Sequence, residues 1–167
     1  MAHKEQIRFC KKVRRYFPDY FNNVRVLDIG SLDINGNNRY LFKNSEYFGI
    51  DLIKGKNVDL VCPVYKYCKK DYYDIVISTE MLEHDMFAEK SLKAMIDCLM
   101  PGGLLLITAA YGERKEHGTY LHNPQDSPAT LDFYKNVTEE MFANLILDYK
   151  HIETTKTDLY FYGFKQY

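Results

Sequence analysis

Apolar residues occur along this chain in short runs, which polar segments rich in glycine, proline and asparagine separate. Runs of this length, bounded by turn residues, predict β-strands rather than helices. The predicted strands cover residues 24–29, 46–51, 58–61, 72–78 and 104–109. The fourth is almost continuously apolar after Asp74, which is typical of a parallel strand covered on both faces. Two alternating stretches, at about 150–156 and 158–166, predict a terminal antiparallel pair.

Apolar residues at helical spacing, together with capping signals, predict three helices. The first covers 3–17, ends before Pro18, and has an apolar face of Ile7, Cys10, Val13 and Phe17. The second covers about 87–99, stops at Pro101-Gly-Gly103, and has an apolar face of Leu92, Met95, Ile96 and Leu99. The third follows Thr138, a predicted N-cap, and covers 139–147. A shorter helical stretch is predicted near 39–42.

Strands and helices alternate along most of the chain, which predicts an α/β fold with a doubly wound, mostly parallel sheet. Ligands of such sheets bind beyond the carboxyl ends of the strands. A polar connection over 111–136 separates the fifth strand from the last helix and shows no periodicity. Because loops of this length in compact domains are usually functional or mobile, we expect this one to have a role at the ligand site.

The composition favours one globular domain over residues 1–167, with 46% hydrophobic and 27% charged residues. A net charge of -1 provides no overall field that would attract nucleic acid or an anionic membrane. No apolar run approaches the roughly 20 residues that a bilayer span needs, so we expect no membrane partner and a cytoplasmic location, in a host cell if the chain is virus-encoded. Four cysteines without a Cys-x-x-Cys pair indicate neither a zinc framework nor a disulfide framework.

The end of the first strand predicts a nucleotide-binding cleft. Gly30 follows the apolar run directly, and its missing side chain lets a ligand approach the backbone. Asp51 ends the second strand 21 residues later, close to the distance at which such folds place an acid on ribose hydroxyls.

Four segments in this order resemble the class I S-adenosylmethionine-dependent methyltransferases, over nearly the whole chain. They are Val26-Leu-Asp-Ile-Gly30, Phe48-Gly-Ile-Asp51, Tyr73-Asp-Ile-Val-Ile-Ser-Thr-Glu-Met-Leu-Glu-His84 and Leu99-Met-Pro-Gly-Gly-Leu-Leu-Leu-Ile107. The resemblance, which extends to a small uncharacterised subgroup, implies a Rossmann-like sheet of seven strands with a terminal antiparallel strand. It also implies S-adenosylmethionine as cofactor, methyl transfer as the activity, and 111–136 as the loop that covers the acceptor.

The resemblance implies roles for individual residues. Asp51 takes both ribose hydroxyls, because a carboxylate offers two acceptor oxygens. Asp28 holds the methionine ammonium directly or through water, and Ser78 with Thr79 lies beside the sulfonium. The implied cofactor-binding residues are Asp28, Gly30, Ser31, Asp51, Leu52, Val64, Ser78 and Thr79.

The chain departs from the family pattern in two places. Ser31-Leu-Asp-Ile-Asn-Gly36 stands where the family has further glycines, so we expect this loop to follow another path, with side-chain contacts from Asp33 or Asn35. Cys62-Pro63-Val64 stands where an acid often binds the adenine amine. We therefore expect adenine to use main-chain groups near Val64 and packing against Leu52 or Tyr65.

Glu80, His84 and His117 are the candidate catalytic residues. Glu80 and His84 follow the fourth strand, where either acts as a base or acceptor ligand, or simply caps the next helix. His117 belongs to a loop group with Glu116 and His122, whose members are either surface residues or catalytic ones. The spacing of that group defines no coordination geometry, so no metal is predicted.

The favoured acceptor is a small polar molecule or a sugar. The Asn-Pro-Pro-Tyr signature of enzymes that methylate base amines is absent after the fourth strand. The basic face of the first helix is explained more simply as a solvated surface, so a nucleic-acid acceptor is not favoured. A non-catalytic cofactor-binding or partner module is the alternative, suggested by the missing glycines. A nicotinamide dehydrogenase is disfavoured because Gly-x-Gly-x-x-Gly is absent.

Overall fold

A computed structural model describes residues 4–67 and 69–167 of the chain. Within these residues, seven strands form one sheet in the order β3-β2-β1-β4-β5-β7-β6. Their bounds are β1 Arg25–Ile29, β2 Glu46–Asp51, β3 Leu60–Val61, β4 Tyr73–Thr79, β5 Leu99–Ala110, β6 Tyr149–Thr154 and β7 Asp158–Phe164. Strands β1 to β5 are mutually parallel, and β7 pairs antiparallel with both β5 and β6. The predicted fold class and the terminal antiparallel pair are therefore confirmed.

The described chain contains three α-helices, α1 Lys4–Tyr16, α2 Ala88–Cys98 and α3 Glu139–Ala143. Short 3-10 turns supply most of the other connections, at Pro18–Phe21, Arg39–Leu41, Val64–Lys66, Leu82–His84 and Pro124–Asp126. Among the residues that the structure describes, no helix is long and apolar enough to cross a membrane.

Two apolar layers cover the sheet, because successive side chains of each buried strand point to opposite faces. On one face, Phe9, Cys10 and Val13 of α1 pack against strand residues such as Val26 and Ile75. On the other face, α2 and α3 supply a larger core, with Leu92, Met95 and Phe142. Each fully buried side chain of this size stabilises the fold by about 1.5–3 kcal/mol.

The buried face of α1 differs from the predicted one. Gln6, Phe9, Cys10 and Val13 are buried, whereas Ile7 is only half-buried. This set follows the i, i+3, i+4, i+7 pattern of one helix face. Gln6 was not expected inside, but its side-chain amide donates a hydrogen bond to Asn38 Oδ1 at 3.5 Å, which offsets part of the cost of its burial.

The second helix has nearly its predicted bounds, but the fifth strand begins five residues earlier than predicted. α2 already ends at Cys98, and β5 begins at Leu99 and runs through the Pro-Gly-Gly segment. Its pairing with β4 jumps from Tyr73↔Leu99 to Ile75↔Leu104, so the extra residues form an irregularity in the strand. Gly102 allows this with a φ of +75°.

The last helix is shorter than predicted, since α3 ends at Ala143 rather than at residue 147. Lys150 on β6 donates its ammonium hydrogens to the carbonyl oxygens of Ala143 and Leu145, which a continuing helix would have used itself. Thr138 stands at the N-cap position with extended backbone, but its side chain makes no capping hydrogen bond.

Candidate active site

A cleft opens at the carboxyl ends of β1, β2 and β4, which the parallel register brings side by side. Ile29 pairs with Ile50 on one side and with Ser78 on the other, so the residues that follow these strands meet at one edge. The cleft encloses about 260 Å³. This is where ligands of such sheets bind.

Gly30 is required by the backbone at the mouth of β1. Its φ is +75°, and a Cβ added there would lie 2.6 Å from Met81 Cγ. The N–H groups of Gly30 and Ser31 both donate to the carbonyl oxygen of Ile50, at 3.0 and 3.1 Å. The turn is therefore fixed against β2 and exposes its backbone to the cleft.

Asp51 lines the cleft at the end of β2, with both carboxylate oxygens anchored. Oδ2 accepts the N–H of Leu32 at 3.0 Å, and Oδ1 accepts the N–H of Leu52 at 2.7 Å. Burial raises the pKa of Asp51, against the opposing effect of these amides. Because each oxygen of an ionised carboxylate has capacity for a further donor, two ligand hydroxyls can still bind.

Asp28 is buried and already holds three internal donors, the hydroxyl of Tyr47 and the side-chain amides of Asn38 and Asn57. Burial raises its pKa to about 6, although these hydrogen bonds act in the opposite direction. Asn38 also donates to Thr79 Oγ1 at 3.1 Å. The carboxylate therefore orients Asn38 and Thr79 at the cleft.

The loop after Gly30 replaces glycines by side-chain anchors, as its sequence predicted. Asp33 accepts hydrogen bonds from the N–H of Gly36 and the amide of Asn37, and it forms an ion pair with Lys56 at 2.7 Å. Asn57 donates to the carbonyl oxygen of Ser31 at 2.8 Å. The loop is thus attached to the segment between β2 and β3, and its residues 34–38 also line the cleft.

Of the predicted cofactor-binding residues, Ser78 alone does not line the described cleft. It is fully buried, and its hydroxyl donates to the carbonyl oxygen of Ile29 at 2.9 Å, which ties β4 to β1. Its position beside the sulfonium stays a prediction, and its hydroxyl is engaged within the sheet. The residues that do line the cleft are Asp28, Gly30, Ser31, Asp51, Leu52, Val64 and Thr79.

One end of the cleft is apolar and aromatic. Leu52 and Val64 line it together with Tyr65 and Phe87, whose rings meet edge to face at 5.2 Å. Cys62 lines it too. This end offers a flat, weakly polar slot for a planar group.

Glu80 stands directly after β4 in a left-handed conformation, with φ of +54°. Its buried carboxylate accepts the hydroxyl of Thr108 at 2.8 Å and pairs with Arg114 at 3.2 Å. Arg114 also pairs with Asp158 at 2.7 Å. This network joins β4, β5 and β7 to the start of the long loop.

His84 lies in the 3-10 turn after β4 and lines the cleft. Its ring also meets those of Tyr134 and His117, and His117 lines an adjoining cavity with Arg114 and Lys115. His84 and His117 have ring centroids 5.0 Å apart. Burial and the neighbouring His117 lower the pKa of His84 to about 3, so its ring is neutral at pH 7. The structure thus brings these two predicted catalytic residues together.

Glu83 lies directly before His84 and was not among the predicted site residues. It is fully buried beside His84, and neither carboxylate oxygen has a hydrogen-bond partner among the described residues. Burial, and next the nearby Glu80 carboxylate, raises its pKa to about 8. Its position directly before His84 in the motif was the available signal.

The second half of the loop over 111–136 forms the roof of the cleft, while its role in covering an acceptor stays a prediction. Residues 126–130, 132 and 133 line the cleft from above. The N–H of Lys135 donates to the carbonyl oxygen of Glu83 at 2.8 Å, which holds the end of the roof against the turn. Glu116 and His122, by contrast, form an exposed pair at 3.3 Å.

The described lining of the cleft is acidic. It contains no lysine or arginine among these residues, and His84 is its one basic side chain. The acidic members are Asp28, Asp51, Glu80, Asp85, Asp126 and Asp132. Such a lining favours cationic or neutral ligands over phosphorylated ones.

Comparison with known proteins gives one family and several solved structures. Residues 1–145 match the family described as methyltransferase domain. No curated protein matches the sequence. Because every structural match below is under 25% identical, these likenesses bear on the fold.

This chain is similar to phosphoethanolamine N-methyltransferase 2 of Haemonchus contortus, at 16% identity and a TM-score of 0.68. That structure was solved in complex with phosphomonomethylethanolamine and S-adenosylhomocysteine. The match covers 96% of this chain but 53% of that one, so this chain spans about half its length. The 1,6-didemethyltoxoflavin-N1-methyltransferase of Burkholderia thailandensis is similar at 14% identity and a TM-score of 0.68, over 98% and 79% of the two chains. The N-methyltransferase NodS of Bradyrhizobium japonicum matches over 100% of both chains, at 11% identity and a TM-score of 0.62.

Proposed function

This chain belongs to the methyltransferase domain family, and we propose that it transfers the methyl group of S-adenosylmethionine to a small polar acceptor without a phosphate. The resemblance to class I methyltransferases is thereby confirmed. The observation that carries the proposal is the cleft at the carboxyl ends of β1, β2 and β4. There the backbone at Gly30 and the carboxylate of Asp51 face one cavity.

The ribose of the cofactor would bind Asp51. The backbone amides of Leu32 and Leu52 fix the orientation of the carboxylate and leave one acceptor position on each oxygen. Two adjacent hydroxyls of a ribose match this pair of acceptors.

The adenine would occupy the apolar end of the cleft, between Leu52 and Val64 and beside the rings of Tyr65 and Phe87. Aromatic and aliphatic side chains supply packing for a planar base. No acid follows β3, so recognition of the adenine amine would fall to main-chain groups near Val64.

The methionine part would lie along the backbone at Gly30 toward Thr79. Asp28 is already hydrogen-bonded internally, so its contribution is to orient Asn38 and to place negative charge below the ammonium group. The cofactor carries positive charge on its sulfonium and ammonium groups, which suits the acidic lining.

Methyl transfer then depends mainly on alignment, because the sulfonium is already activated. The acceptor would lie between the sulfur position and the roof of the cleft, next to Glu80 and His84. The roof limits the space available, which favours a small acceptor over a base within a nucleic acid.

The acidic lining also restricts the class of acceptor. A phosphorylated acceptor would meet carboxylates such as Asp126 and Asp132 with no lysine or arginine among the described lining residues. Amines and neutral sugars avoid this repulsion.

The proposal is tested by incubating the full chain with S-adenosylmethionine and a panel of amines, sugars and their phosphorylated forms. Release of S-adenosylhomocysteine with an unphosphorylated acceptor is the expected result. Tight cofactor binding without product for any acceptor would instead favour the non-catalytic module. Binding of reduced nicotinamide dinucleotide in place of S-adenosylmethionine would overturn the cofactor assignment.

A further inference from the structure

Three potential ligand atoms for a metal converge where the roof loop meets the turn after β4. The Glu83 carboxylate, a His84 ring nitrogen and a His117 ring nitrogen all lie within 4.8 Å of one another. Glu83 and His84 are adjacent in the chain, while His117 comes from the loop over 111–136. The grouping therefore exists only in the folded chain.

Two of the three groups are buried without partners. Glu83 is fully buried, and both its oxygens lack hydrogen bonds within the described chain. Nδ1 of His84, a residue 6% exposed, also lacks a partner there. Buried polar atoms are nearly always hydrogen-bonded, so a neighbouring pair of unsatisfied groups indicates a missing ligand.

The third group is oriented for coordination. Nδ1 of His117 lies 3.1 Å from the carbonyl oxygen of Lys115, which can only accept a hydrogen bond, so Nδ1 must donate. Nε2 then carries the lone pair. Metal-binding histidines commonly hold a backbone carbonyl in this way, which fixes the tautomer and the ring orientation.

The surroundings hold the cluster together. Gly118, at φ of +64°, lets the loop pass against the ring of His84, where a Cβ would lie 2.7 Å from Cε1. The ring of Tyr134 meets both imidazoles edge to face, at 5.3 and 5.0 Å.

From this geometry we propose that Glu83, His84 and His117 bind one divalent transition-metal ion of the zinc type. Two imidazoles and one carboxylate are a ligand set typical of such ions, and they leave at least one coordination position open. Ligand atoms around zinc are about 3.4 Å apart, so the three groups, now within 4.8 Å of one another, must close by up to about 1.4 Å. His117, which is half-exposed and on a loop, can supply that movement.

The open position would lie between the cleft, which His84 lines, and the adjoining cavity, which His117 lines. An oxygen or nitrogen atom of the acceptor could bind there beside the methyl donor. This role of the ion rests on the proposed function, whereas the binding of the ion does not.

The test is equilibrium dialysis of the metal-stripped full chain against micromolar Zn²⁺, in the absence of S-adenosylmethionine. We expect one ion per chain. Glu83→Gln and His117→Ala should each weaken binding by at least about 100-fold, beyond the usual effect of outer-shell partners. Mg²⁺ should not displace the zinc, since it prefers oxygen ligands.

His122→Ala is the matched control, because His122 lies in the same loop but pairs with Glu116 at the surface. It should bind zinc like the unmodified chain. Absence of stoichiometric zinc in the unmodified chain would overturn the site, as would equal losses in His122→Ala and His117→Ala. His117→Ala changes only a half-exposed side chain, so it decides the matter if Glu83→Gln does not fold.

Release of S-adenosylhomocysteine is measured separately on the same preparations. Stoichiometric zinc without methyl transfer supports the site and counts against the proposed function. Methyl transfer by a chain that binds no zinc supports the proposed function and overturns the metal site.

Discussion

At the scale of single residues, the site depends on side chains with defined internal partners. Gly30 is required by its backbone angle and by Met81, and Asp51 is oriented by two amides. Asp28 is oriented by Tyr47 and two amide side chains. Such positions contribute to function through preorganisation, because their geometry is set before a ligand arrives.

Replacement of Asp51 by Ala should weaken binding of S-adenosylmethionine by roughly 1 to 3 kcal/mol, because the ribose hydroxyls lose their acceptors. Isothermal titration measures the change. Asp148→Ala is the control, since Asp148 is exposed and precedes β6 at the opposite end of the sheet. Equal affinities of the two variants for S-adenosylmethionine would contradict the assignment of Asp51 to the ribose.

Asp28 should make the stability of the ligand-free protein depend on pH. Burial raises its pKa to about 6, from an ordinary value of 3.8. The folded state therefore holds this proton more tightly than the unfolded state, and the free energy of unfolding falls as pH rises from about 4 to 6. The loss amounts to at most about 3 kcal/mol.

Urea unfolding of the chain and of Asp28→Asn across this range tests the effect. The variant should show a shallower decline, whatever its overall stability, because an amide does not titrate there whereas Asp51, whose pKa burial also raises, still does. Parallel curves would show that Asp28 is not the titrating group.

At the scale of elements, the ends of helices and strands were decided by neighbouring segments. α3 stops at Ala143, where Lys150 takes the carbonyl oxygens of Ala143 and Leu145, and β5 starts early because Leu99 pairs with Tyr73 of β4. The loop after Gly30 follows the segment between β2 and β3. These outcomes follow from contacts that local periodicity does not contain.

Lys150→Ala should lower the free energy of unfolding by about 0.5–1.5 kcal/mol, since the carbonyls of Ala143 and Leu145 lose their donor. Thermal or urea unfolding measures it. Lys54→Ala, at an exposed loop position, should change stability little. A loss as large in Lys54→Ala would show that the capping contact adds nothing.

At the scale of the whole molecule, the sheet, the 3-10 turn after β4 and the long loop enclose one acidic cleft. The net charge of -1 does not indicate an acidic cleft, because basic residues elsewhere, for example along the exposed face of α1, balance its carboxylates. The field within the cleft therefore differs from that of the protein as a whole.

For an accepted substrate, the phosphorylated analogue should have a kcat/KM at least about tenfold lower, which corresponds to about 1.4 kcal/mol. Release of S-adenosylhomocysteine measures both rates. Asp132→Asn should reduce the difference in kcat/KM between the two substrates, because it removes a carboxylate from the roof. A preference for the phosphorylated form would contradict the proposed acceptor class.

The sequence by itself determined the order and type of nearly every strand, and it identified Gly30 and Asp51 as residues of one cleft. Both results depend on local information, since strand periodicity is local and parallel strands bring their carboxyl ends together. Only the tertiary structure decided that Ser78 is buried against Ile29 and that Asp28 orients Asn38. It also placed Glu83 and His84 against His117. Those contacts join segments that are distant along the chain, so no local pattern could encode which atoms would meet.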